Sequence, residues 1–389
     1  MNPGAAAVLV VDDVAENRDI LVRHLRRLGI GSIVEAENGV EALAATERRS
    51  FDLMLLDITM PELDGYEVLR RLKHVANPAD LPVIVISALS EIEPVVRCVE
   101  LGAEDFILKP FNPTLLRARI TATLEKKGLR DLTREELRRR RAELEEARGL
   151  QLALVPPKYR ATHHGRSISI DVALEPAREV GGDLADHFLV GSDRIVLVLG
   201  DVSDKGAGAA LVMARTHALL RGLALRPDAI KIFGCPERAV DIVNRALSLG
   251  NDRCMFVTML LAVLDTRSGR LSYVRAGHIP PFVGRSDGRH ERLSARGGPP
   301  LGLDENAVYS STTVRLHLDD HLLIVTDGIT EAMDASGQLF GEERVRLLMC
   351  VPASAETVER LVSTVRAFES GHPPSDDVAI LHLRSETPT

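Results

Sequence analysis

Short apolar runs alternate with amphipathic stretches through the first third of the chain, and this alternation restricts the fold more than any other feature. The runs that predict strands are residues 7–11, 32–36, 52–56, 82–86 and 105–108. The stretches between them have the periodicity of helices. Five such repeats in about 125 residues predict a doubly wound, five-stranded parallel sheet whose ligand site lies at the carboxyl ends of its strands.

Polar side chains follow four of these predicted strands. Asp12 and Asp13 follow the first strand, Asp57 the third, Ser87 the fourth and Lys109 the fifth. Because the carboxyl ends of parallel strands meet at one edge of a sheet, we expect these side chains to share a pocket. Three carboxylates with a single lysine would repel one another unless a hard divalent cation, most simply Mg²⁺, lay between them.

With these motifs, residues 5–125 resemble the receiver domain of two-component response regulators, which has a flavodoxin-like fold. The resemblance implies that Asp57 is the nucleophile that accepts a phosphoryl group from a histidine kinase or a phosphotransfer protein. The Mg²⁺ ligands that it implies are Asp12, Asp13, Asp57 and the backbone carbonyl of Thr59. The switch residues that it implies are Ser87, Phe106 and Lys109. The Lys109–Pro110 bond is commonly cis in that family.

Residues 126–157 are dense in charge and predict a helical linker. Thr133 and Glu136 have the spacing of a capping box, which predicts a helix with its own start, and Pro156 and Pro157 would end it. Apolar residues recur every three or four positions along this helix, at Leu137, Leu144, Ala147, Leu150 and Leu154. Such a stripe could pair with a second copy of itself as a short coiled coil, or it could pack on the domain that follows.

After the linker, the pattern changes to long strands with grouped helices. The predicted strands are residues 167–174, 194–201, 255–264, 271–276, 321–326 and 377–383. The predicted helices are residues 207–225, 237–249 and 357–369. This order favours an α+β layered sandwich over a second doubly wound sheet.

Acidic residues border several of these strands. Asp183 lies in Val-Gly-Gly-Asp, Asp201 in Gly-Asp-Val-Ser, Asp327 in Thr-Asp-Gly-Ile, and Asp376 with Asp377 in Ser-Asp-Asp-Val. No cysteine or histidine pattern joins these motifs. A set of carboxylates without softer ligands selects Mg²⁺ or Mn²⁺.

These motifs, with Ala-Gly-His-Ile-Pro-Pro and Gly-Pro-Pro-Leu-Gly, make residues 150–385 resemble the SpoIIE/RsbU group, the bacterial branch of the PP2C-type metallophosphatases. The resemblance implies an αββα sandwich over residues 158–385 that hydrolyses phosphoserine or phosphothreonine in proteins. It also implies a centre of two Mn²⁺ or Mg²⁺ ions, which would activate a shared water. Its catalytic and metal-binding residues would be Asp183, Asp201, Asp327 and Asp376, with the backbone carbonyl of Val202.

The chain departs from the pattern of the SpoIIE/RsbU group at a few positions near these motifs. Leu184 and Ala185 stand where aromatic residues are common, Asp204 replaces a usual glycine, and Ala379 replaces a usual threonine. None of these changes removes an implied metal ligand. They bear on the shape of the substrate pocket and, through the Asp204 carboxylate, on its charge.

The resemblances together predict a response regulator with a phosphatase output, controlled by phosphorylation of Asp57. The expected substrate is a phosphorylated anti-sigma factor antagonist with a STAS domain, and a homodimer would form through the receiver and the linker. The alternative is a phosphatase fold without activity that serves as an adaptor. Such adaptors tend to lose metal ligands, whereas this sequence retains Asp183, Asp201, Asp327 and Asp376.

Composition excludes several other classes of function. A net charge of −8 with 3% aromatic residues disfavours a nucleic-acid surface. No uninterrupted apolar run approaches the roughly 20 residues of a membrane-spanning helix. The first residues lack the basic region of a signal peptide, so we expect a cytoplasmic protein.

Overall fold

The computed structural model describes residues 6–75, 80–88, 92–110, 112–294, 296–349 and 354–387. The chain divides into two compact units, Met1–Arg140 and Arg141–Thr389. Within the described ranges, no helix has both the length and the apolar character that are needed to cross a membrane.

The first unit is built on a five-stranded parallel sheet. Its strands are β1 Ala7–Val11, β2 Ser32–Ala36, β3 Leu53–Leu56, β4 Val83–Ser87 and β5 Asp105–Leu108. Its helices are α1 Ala15–Arg27, α2 Gly39–Arg48, α3 Gly65–Val75 and α4 Ile92–Glu100, followed by α5 Pro113–Leu152. The strand order β2-β1-β3-β4-β5, with every pair parallel, is that of the flavodoxin-like fold. The predicted fold of this unit is confirmed.

Side chains of β1 alternate between the two faces of this sheet, as the geometry of a strand requires. Val8 and Val10 pack in a cluster with residues of α1 and α5. Leu9 and Val11 pack on the other face in a cluster with residues of α2 and α3. With both faces covered by helices, the carboxyl edge of the sheet is left for the polar side chains that follow the strands.

Helix α5 runs without interruption from Pro113 to Leu152, so the prediction of a helical linker is confirmed but the prediction of a separate helix start is wrong. Thr133 lies in the helix interior, where its Oγ1 donates a hydrogen bond to the carbonyl of Leu129 at 2.9 Å. The pattern of a capping box failed because no proline interrupts the helix, and a glycine such as Gly128 costs only about 1 kcal/mol in a helix. Glu136 pairs with Arg140, one turn further along the helix, at 3.0 Å.

The apolar stripe of α5 is only partly packed. Leu154 packs against the core of the second unit, whereas Leu137 and Leu150 are 52% and 69% exposed. Packing on the following domain therefore accounts for the end of the stripe. Pairing of the remainder with a second copy of the chain stays a prediction.

The second unit contains two antiparallel sheets. The first has the order β14-β11-β10-β9-β8 and the second has the order β13-β12-β15-β16-β7-β6. The strands are β6 Tyr159–His163, β7 Arg166–Glu175, β8 Leu184–Val190, β9 Arg194–Val202, β10 Val257–Asp265, β11 Arg270–Ala276, β12 Phe282–Gly284, β13 His290–Arg292, β14 Thr312–Arg315, β15 His321–Val325 and β16 Val378–Glu386. The helices are α6 Ala207–Ala224, α7 Ala229–Phe233, α8 Pro236–Ser248, α9 Asp327–Thr330, α10 Gly341–Met349 and α11 Thr357–Glu369.

Three apolar clusters place these elements in four layers. Leu197 and Leu260 of one sheet pack between the sheets against Ile170 and Leu381 of the other. A second cluster joins the outer face of the five-stranded sheet to α6, α7 and α8. A third joins the outer face of the six-stranded sheet to α9, α10 and α11. This is the predicted αββα sandwich, with several short strands and helices that the sequence pattern missed.

Candidate functional site

Three carboxylates of the first unit meet at the carboxyl edge of its sheet. One oxygen from each of Asp12, Asp13 and Asp57 lies within 4.8 Å of the others, close enough to share one cation. Asp12 and Asp57 are buried, and Asp13 is exposed. Lys109 joins them from the end of β5, with its Nζ 2.7 Å from Asp12 Oδ2 and 2.6 Å from Asp57 Oδ2. The structure therefore brings together four of the predicted receiver residues.

The charges of this cluster oppose one another. Burial raises the pKa of Asp57 above its usual range, although the hydrogen bond from Lys109 acts in the opposite direction. Burial alone would lower the pKa of Lys109, but its hydrogen bonds to Asp12 and Asp57 outweigh burial and raise that pKa. Lys109 therefore remains a cation beside the Asp57 carboxylate, whose charged form is disfavoured by burial. The carboxylate oxygens of this cluster are ligands of the kind that Mg²⁺ binds.

The other predicted receiver residues lie on β4, on β5 and just beyond β3. Ser87 is fully buried at the end of β4, and its carbonyl accepts a hydrogen bond from the Lys109 amide at 2.8 Å. Thr59 is exposed just beyond β3, and half-buried Phe106 of β5 packs against the cluster that includes Leu9. The Lys109–Pro110 peptide bond is cis.

In the second unit, the predicted metal ligands lie at the ends of strands that belong to both sheets. Asp183 immediately precedes β8 and Asp201 lies near the end of β9, both in the five-stranded sheet. Asp327 begins α9 directly after β15, and Asp376 lies just before β16. The sandwich thus collects four acids that are far apart in sequence.

The charges of several of these carboxylates raise one another's pKa values. Burial, followed by the charges of Asp327 and Asp376, raises the pKa of Asp201 to about 7. Burial, followed by the charges of Asp201 and Asp377, raises the pKa of Asp183 well above its usual range. Burial and the charge of Glu331 raise the pKa of Asp327. The site therefore concentrates negative charge.

Asp183 has one oxygen fixed and one oxygen without a hydrogen bond. Its Oδ2 accepts a hydrogen bond from Thr326 Oγ1 at 2.9 Å. Its buried Oδ1 accepts none from any donor in the described part of the chain. A buried acceptor without a partner is costly, and a cation would remove that cost.

The two consecutive acids before β16 differ in what they contact. Asp377 is buried, and its carboxylate accepts hydrogen bonds from the amides of Ala177 at 2.7 Å and Gly182 at 2.6 Å. Asp376 instead lies with its Oδ1 3.1 Å from Lys205 Nζ. Asp377 therefore fixes the backbone ahead of Asp183, which leaves Asp376 as the candidate ligand.

The four acids of the second unit are spread more widely than those of the receiver. Among the residues that the structure describes, three carboxylates with oxygens within 4.8 Å of one another occur only in the receiver cluster. Carboxylate oxygens without softer ligands suit Mg²⁺ or Mn²⁺. The Val202 carbonyl oxygen lies next to the residue that precedes Asp183, because a Cβ added to Gly182 would be 2.9 Å from that oxygen.

The four residues that depart from the pattern of the SpoIIE/RsbU group differ in their surroundings. Leu184 is buried in the cluster beneath α6, and Ala185 is buried between the two sheets. The Ala379 amide donates a hydrogen bond to Thr326 Oγ1 at 2.9 Å. Asp204 is exposed, with a left-handed φ of 77°. Leu184 and Ala185 therefore contribute to packing.

Sequence reasoning missed three residues that contact this site. Thr326 and Lys205 directly adjoin the recognised motifs, so proximity in sequence could have indicated them. Gln151 could have been noticed as the one amide side chain in helix α5. Its side chain is buried and contacts the Gly-Gly-Asp segment.

Comparisons with known proteins agree with this division of the chain. The family described as Stage II sporulation protein E (SpoIIE) matches residues 191–386, and the response regulator receiver domain matches residues 8–121. Protein IcfG of Synechocystis sp. is 32% identical over 238 residues, which are 56% of this chain and 37% of that protein. Probable transcriptional regulator ycf27 of Porphyridium aerugineum is 40% identical over 119 residues, which are 31% of this chain and 48% of that protein. The chain thus spans less than half of either relative.

Two solved phosphatase structures share the fold of the second unit. The SiaA-PP2C domain of Pseudomonas aeruginosa is similar at 20% identity and a TM-score of 0.54, over 64% of this chain and 98% of that one. The PP2C phosphatase domain of SpoIIE from Bacillus subtilis is similar at 20% identity and a TM-score of 0.50, over 58% of this chain and 66% of that one. Since the SpoIIE match alone covers just over half of the 389 residues, the chain belongs to the SpoIIE family of PP2C-type domains, here combined with a response regulator receiver domain.

Proposed function

We propose that this protein is a metal-dependent protein serine/threonine phosphatase whose activity is controlled by phosphorylation of Asp57. The observation that carries the proposal is the set of four strand-end acids, of which Asp183, Asp201 and Asp327 have raised pKa values and Asp183 keeps a buried oxygen without a partner. Those properties make the metal-free site unfavourable and the metal-bound site favourable. Four retained carboxylates also favour an enzyme over an inactive adaptor.

In this proposal, the carboxylates divide the work of holding two Mn²⁺ or Mg²⁺ ions. Asp201, with the Val202 carbonyl, would help to hold both ions, Asp327 and Asp376 would help to hold one, and Asp183 would help to hold the other. When bound, the ions would acidify a shared water and stabilise the negative charge that develops at phosphorus. No side chain of the protein would need to form a phosphoenzyme.

The receiver would use its own carboxylate as a nucleophile. An oxygen of Asp57 forms a bond to phosphorus while the bond from phosphorus to a histidine nitrogen of the kinase or phosphotransfer protein breaks. Asp12, Asp13 and the Thr59 carbonyl would hold the required Mg²⁺ with Asp57. Lys109 is placed to neutralise the phosphoryl oxygens, and Ser87 and Phe106 would respond to their arrival.

The proposed organisation keeps the boundaries of the sequence analysis, with a receiver at 5–125, a linker at 126–157 and a phosphatase domain at 158–385. The exposed Leu137 and Leu150 support a homodimer through the receiver and the linker. Membership of the SpoIIE family supports a phosphorylated STAS-domain protein as the substrate. A cytoplasmic location belongs to the same proposal.

The direct test is hydrolysis of p-nitrophenyl phosphate and of a phosphorylated STAS-domain protein by the full-length chain, with Mn²⁺ titrated from zero. We expect turnover only with the metal, and loss of turnover when a chelator is added. A chain that binds the STAS-domain protein but releases no phosphate at any Mn²⁺ or Mg²⁺ concentration would instead be an adaptor.

A further inference from the structure

Lys205 lies in the loop between β9 and α6, beside the candidate metal ligands of the second unit. Its Nζ lies 3.1 Å from Asp376 Oδ1 and also donates a hydrogen bond to the Ser375 carbonyl. Lys205 follows the strand end that carries Asp201, whereas Asp376 precedes β16 of the other sheet, so the contact spans the two sheets. In the described part of the chain, Lys205 is the only cationic side chain that forms an ion pair with an acid of this site.

The acids of this site carry more negative charge than two metal ions would balance. Two dications would balance the four candidate ligands, Asp183, Asp201, Asp327 and Asp376. Asp377 would remain, and its charge reaches the centre, because it raises the pKa values of both Asp183 and Asp201. A phosphate ester is itself negatively charged at neutral pH, so it would meet no excess of positive charge without a further cation. Lys205 is the cation that is placed to supply it.

The contacts of Lys205 leave both its own ammonium and the Asp376 carboxylate able to bind more. An ammonium has three N–H donors, and the described contacts of Lys205 use two of them. Asp376 Oδ1 accepts from Lys205 and from the Asp377 amide at 2.9 Å, so Oδ2 is the oxygen that is left for a metal ion. The side chain of Lys205 is 34% exposed. Its remaining donor is therefore available to a ligand that enters from solvent.

We propose that Lys205 is a substrate-binding residue of the phosphatase centre, which donates a hydrogen bond to an oxygen of the phosphoryl group that is hydrolysed. The inference rests on the proposed function, because it takes Asp376 as a metal ligand, and it deepens that function by adding a residue that contacts the substrate. Hydrogen bonds from an ammonium to a phosphate oxygen are charge-assisted and strong. Because Lys205 recognises the phosphoryl group alone, it should act on phosphoproteins and on small phosphoesters alike.

The test compares Lys205→Met with the parent in the full-length chain at saturating Mn²⁺. Methionine keeps much of the apolar stem of lysine and removes the ammonium. We expect the KM for p-nitrophenyl phosphate and the inhibition constant of inorganic phosphate to rise about tenfold, while kcat stays within about threefold, because the contact is already made with the bound substrate. Lys205→Arg keeps a cation and should recover most of the lost affinity. Lys231→Met, which removes an exposed lysine of α7, is the matched control.

Two further readouts do not depend on turnover. Titration calorimetry should show that inorganic phosphate binds about tenfold more weakly to the Mn²⁺-loaded Lys205→Met chain than to the parent. The affinity for Mn²⁺ should instead rise by about threefold, because the ammonium beside Asp376 no longer repels the ion. The receiver is the same in both chains, so these differences report the second unit.

Equal phosphate affinity in Lys205→Met and the parent would overturn the inference. A fall in Mn²⁺ affinity with an unchanged KM at saturating Mn²⁺ would also overturn it, because that is the effect of a residue that only positions Asp376. If Lys205→Met does not fold, the neutral variant Lys205→Gln replaces it in every comparison. Failure of the parent to hydrolyse any phosphoester would contradict the proposed function, while the calorimetric affinity for phosphate would still decide the role of Lys205.

Discussion

Thr326 Oγ1 donates a hydrogen bond to Asp183 Oδ2 at 2.9 Å, although 143 residues separate the two in sequence. The same hydroxyl accepts a hydrogen bond from the Ala379 amide at 2.9 Å. One threonine thus ties a candidate metal ligand of one sheet to the backbone of the other. The orientation of Asp183 therefore depends on the spacing between the sheets.

Thr326→Val keeps the shape of this side chain and removes its hydroxyl. We expect Mn²⁺ affinity to fall by about tenfold, because Asp183 loses its orienting donor. We also expect unfolding to become easier by about 1–3 kcal/mol, because a buried donor and a buried acceptor lose their partner. Titration calorimetry and urea unfolding measure the two effects. Thr326→Ser retains the hydroxyl and should preserve the affinity.

Asp201→Asn removes one charge from the group of mutually repelling acids. Hydrolysis of p-nitrophenyl phosphate should be lost at all Mn²⁺ concentrations, because a neutral side chain cannot bridge two dications. The metal-free variant should nevertheless melt about 2 to 4 °C above the parent, since repulsion is relieved. Calorimetric melting with and without Mn²⁺ tests both statements. The exposed Asp252→Asn is the control, and parental activity in Asp201→Asn would refute the centre.

Asp57→Asn should abolish labelling of the chain by radioactive acetyl phosphate in the presence of Mg²⁺. Asn cannot form an acyl phosphate, and the other acids of the cluster, Asp12 and Asp13, are the proposed Mg²⁺ ligands. In the parent, the label should be lost on acid treatment that spares phosphoserine. Asp19→Asn, on the exposed face of α1, should label normally. Persistent label in Asp57→Asn would place the phosphoryl group elsewhere.

Beryllium fluoride bound at Asp57 should raise the turnover of a phosphoprotein substrate by the full-length chain. The reason is that α5 continues from the receiver unit to Gln151 without a break, so a change at its start can reach its end. Deleting residues 1–125 separates two versions of this control. An inactive monomer would indicate activation by dimerisation, and a constitutively active enzyme would indicate relief of inhibition. Equal rates with an occupied receiver would contradict both versions.

Acid should destabilise the second unit through two buried histidines. His321 Nδ1 lies 3.1 Å from His382 Nε2, and burial lowers the pKa of His321 to about 4 and that of His382 to about 3. Their charged or titratable neighbours are His290, Asp320, Arg360 and Arg384. The unfolded chain, with a histidine pKa of about 6.5, binds protons first as the pH falls. The contribution of the two neutral histidines to the free energy of unfolding is therefore complete above about pH 6.5, and it decreases from there towards pH 4.

At pH 5, the loss should amount to about 2 kcal/mol for each histidine. Urea unfolding at pH 7 and pH 5 measures this loss of stability. Tyrosine fluorescence is the probe, since Tyr159, Tyr273 and Tyr309 belong to the second unit. His382→Leu should reduce the difference between the two pH values by about 2 kcal/mol. His317→Gln, which removes an exposed histidine, should leave that difference unchanged. The same change in both variants would rule out the buried pair as its source.

The sequence predicted the receiver sheet closely because each of its buried strands is a short apolar run between turn residues. In the second unit, the same approach missed β8, where Asp186 and His187 interrupt the apolar pattern. Asp186 is buried there because Arg221 of α6 pairs with both of its oxygens, at 2.7 and 2.6 Å. A pairing across the fold of this kind leaves no local signal.

The candidate ligands were predicted because each lies in a short motif at a strand end. The residues that contact those ligands and their neighbours were not predicted. The contact of Gln151 with Gly181 depends on where α5 ends against the sandwich, which no local pattern encodes. The separate start predicted at Thr133 failed for the opposite reason. Its pattern was local, and the helix continued through it.

The backbone of Gly181 lies directly against the carboxylate of Asp377, since a Cβ at position 181 would lie 2.2 Å from Asp377 Oδ2. An alanine at 181 would displace the carboxylate, and the amides of Ala177 and Gly182 would lose their acceptor. Shortening Asp377 first would remove that acceptor before any new side chain could fill the gap. Each position therefore blocks change at the other, and their substitutions should be strongly non-additive. Relatives with a larger residue at 181 should lack aspartate at 377, so natural variation at this pair should appear as covariation.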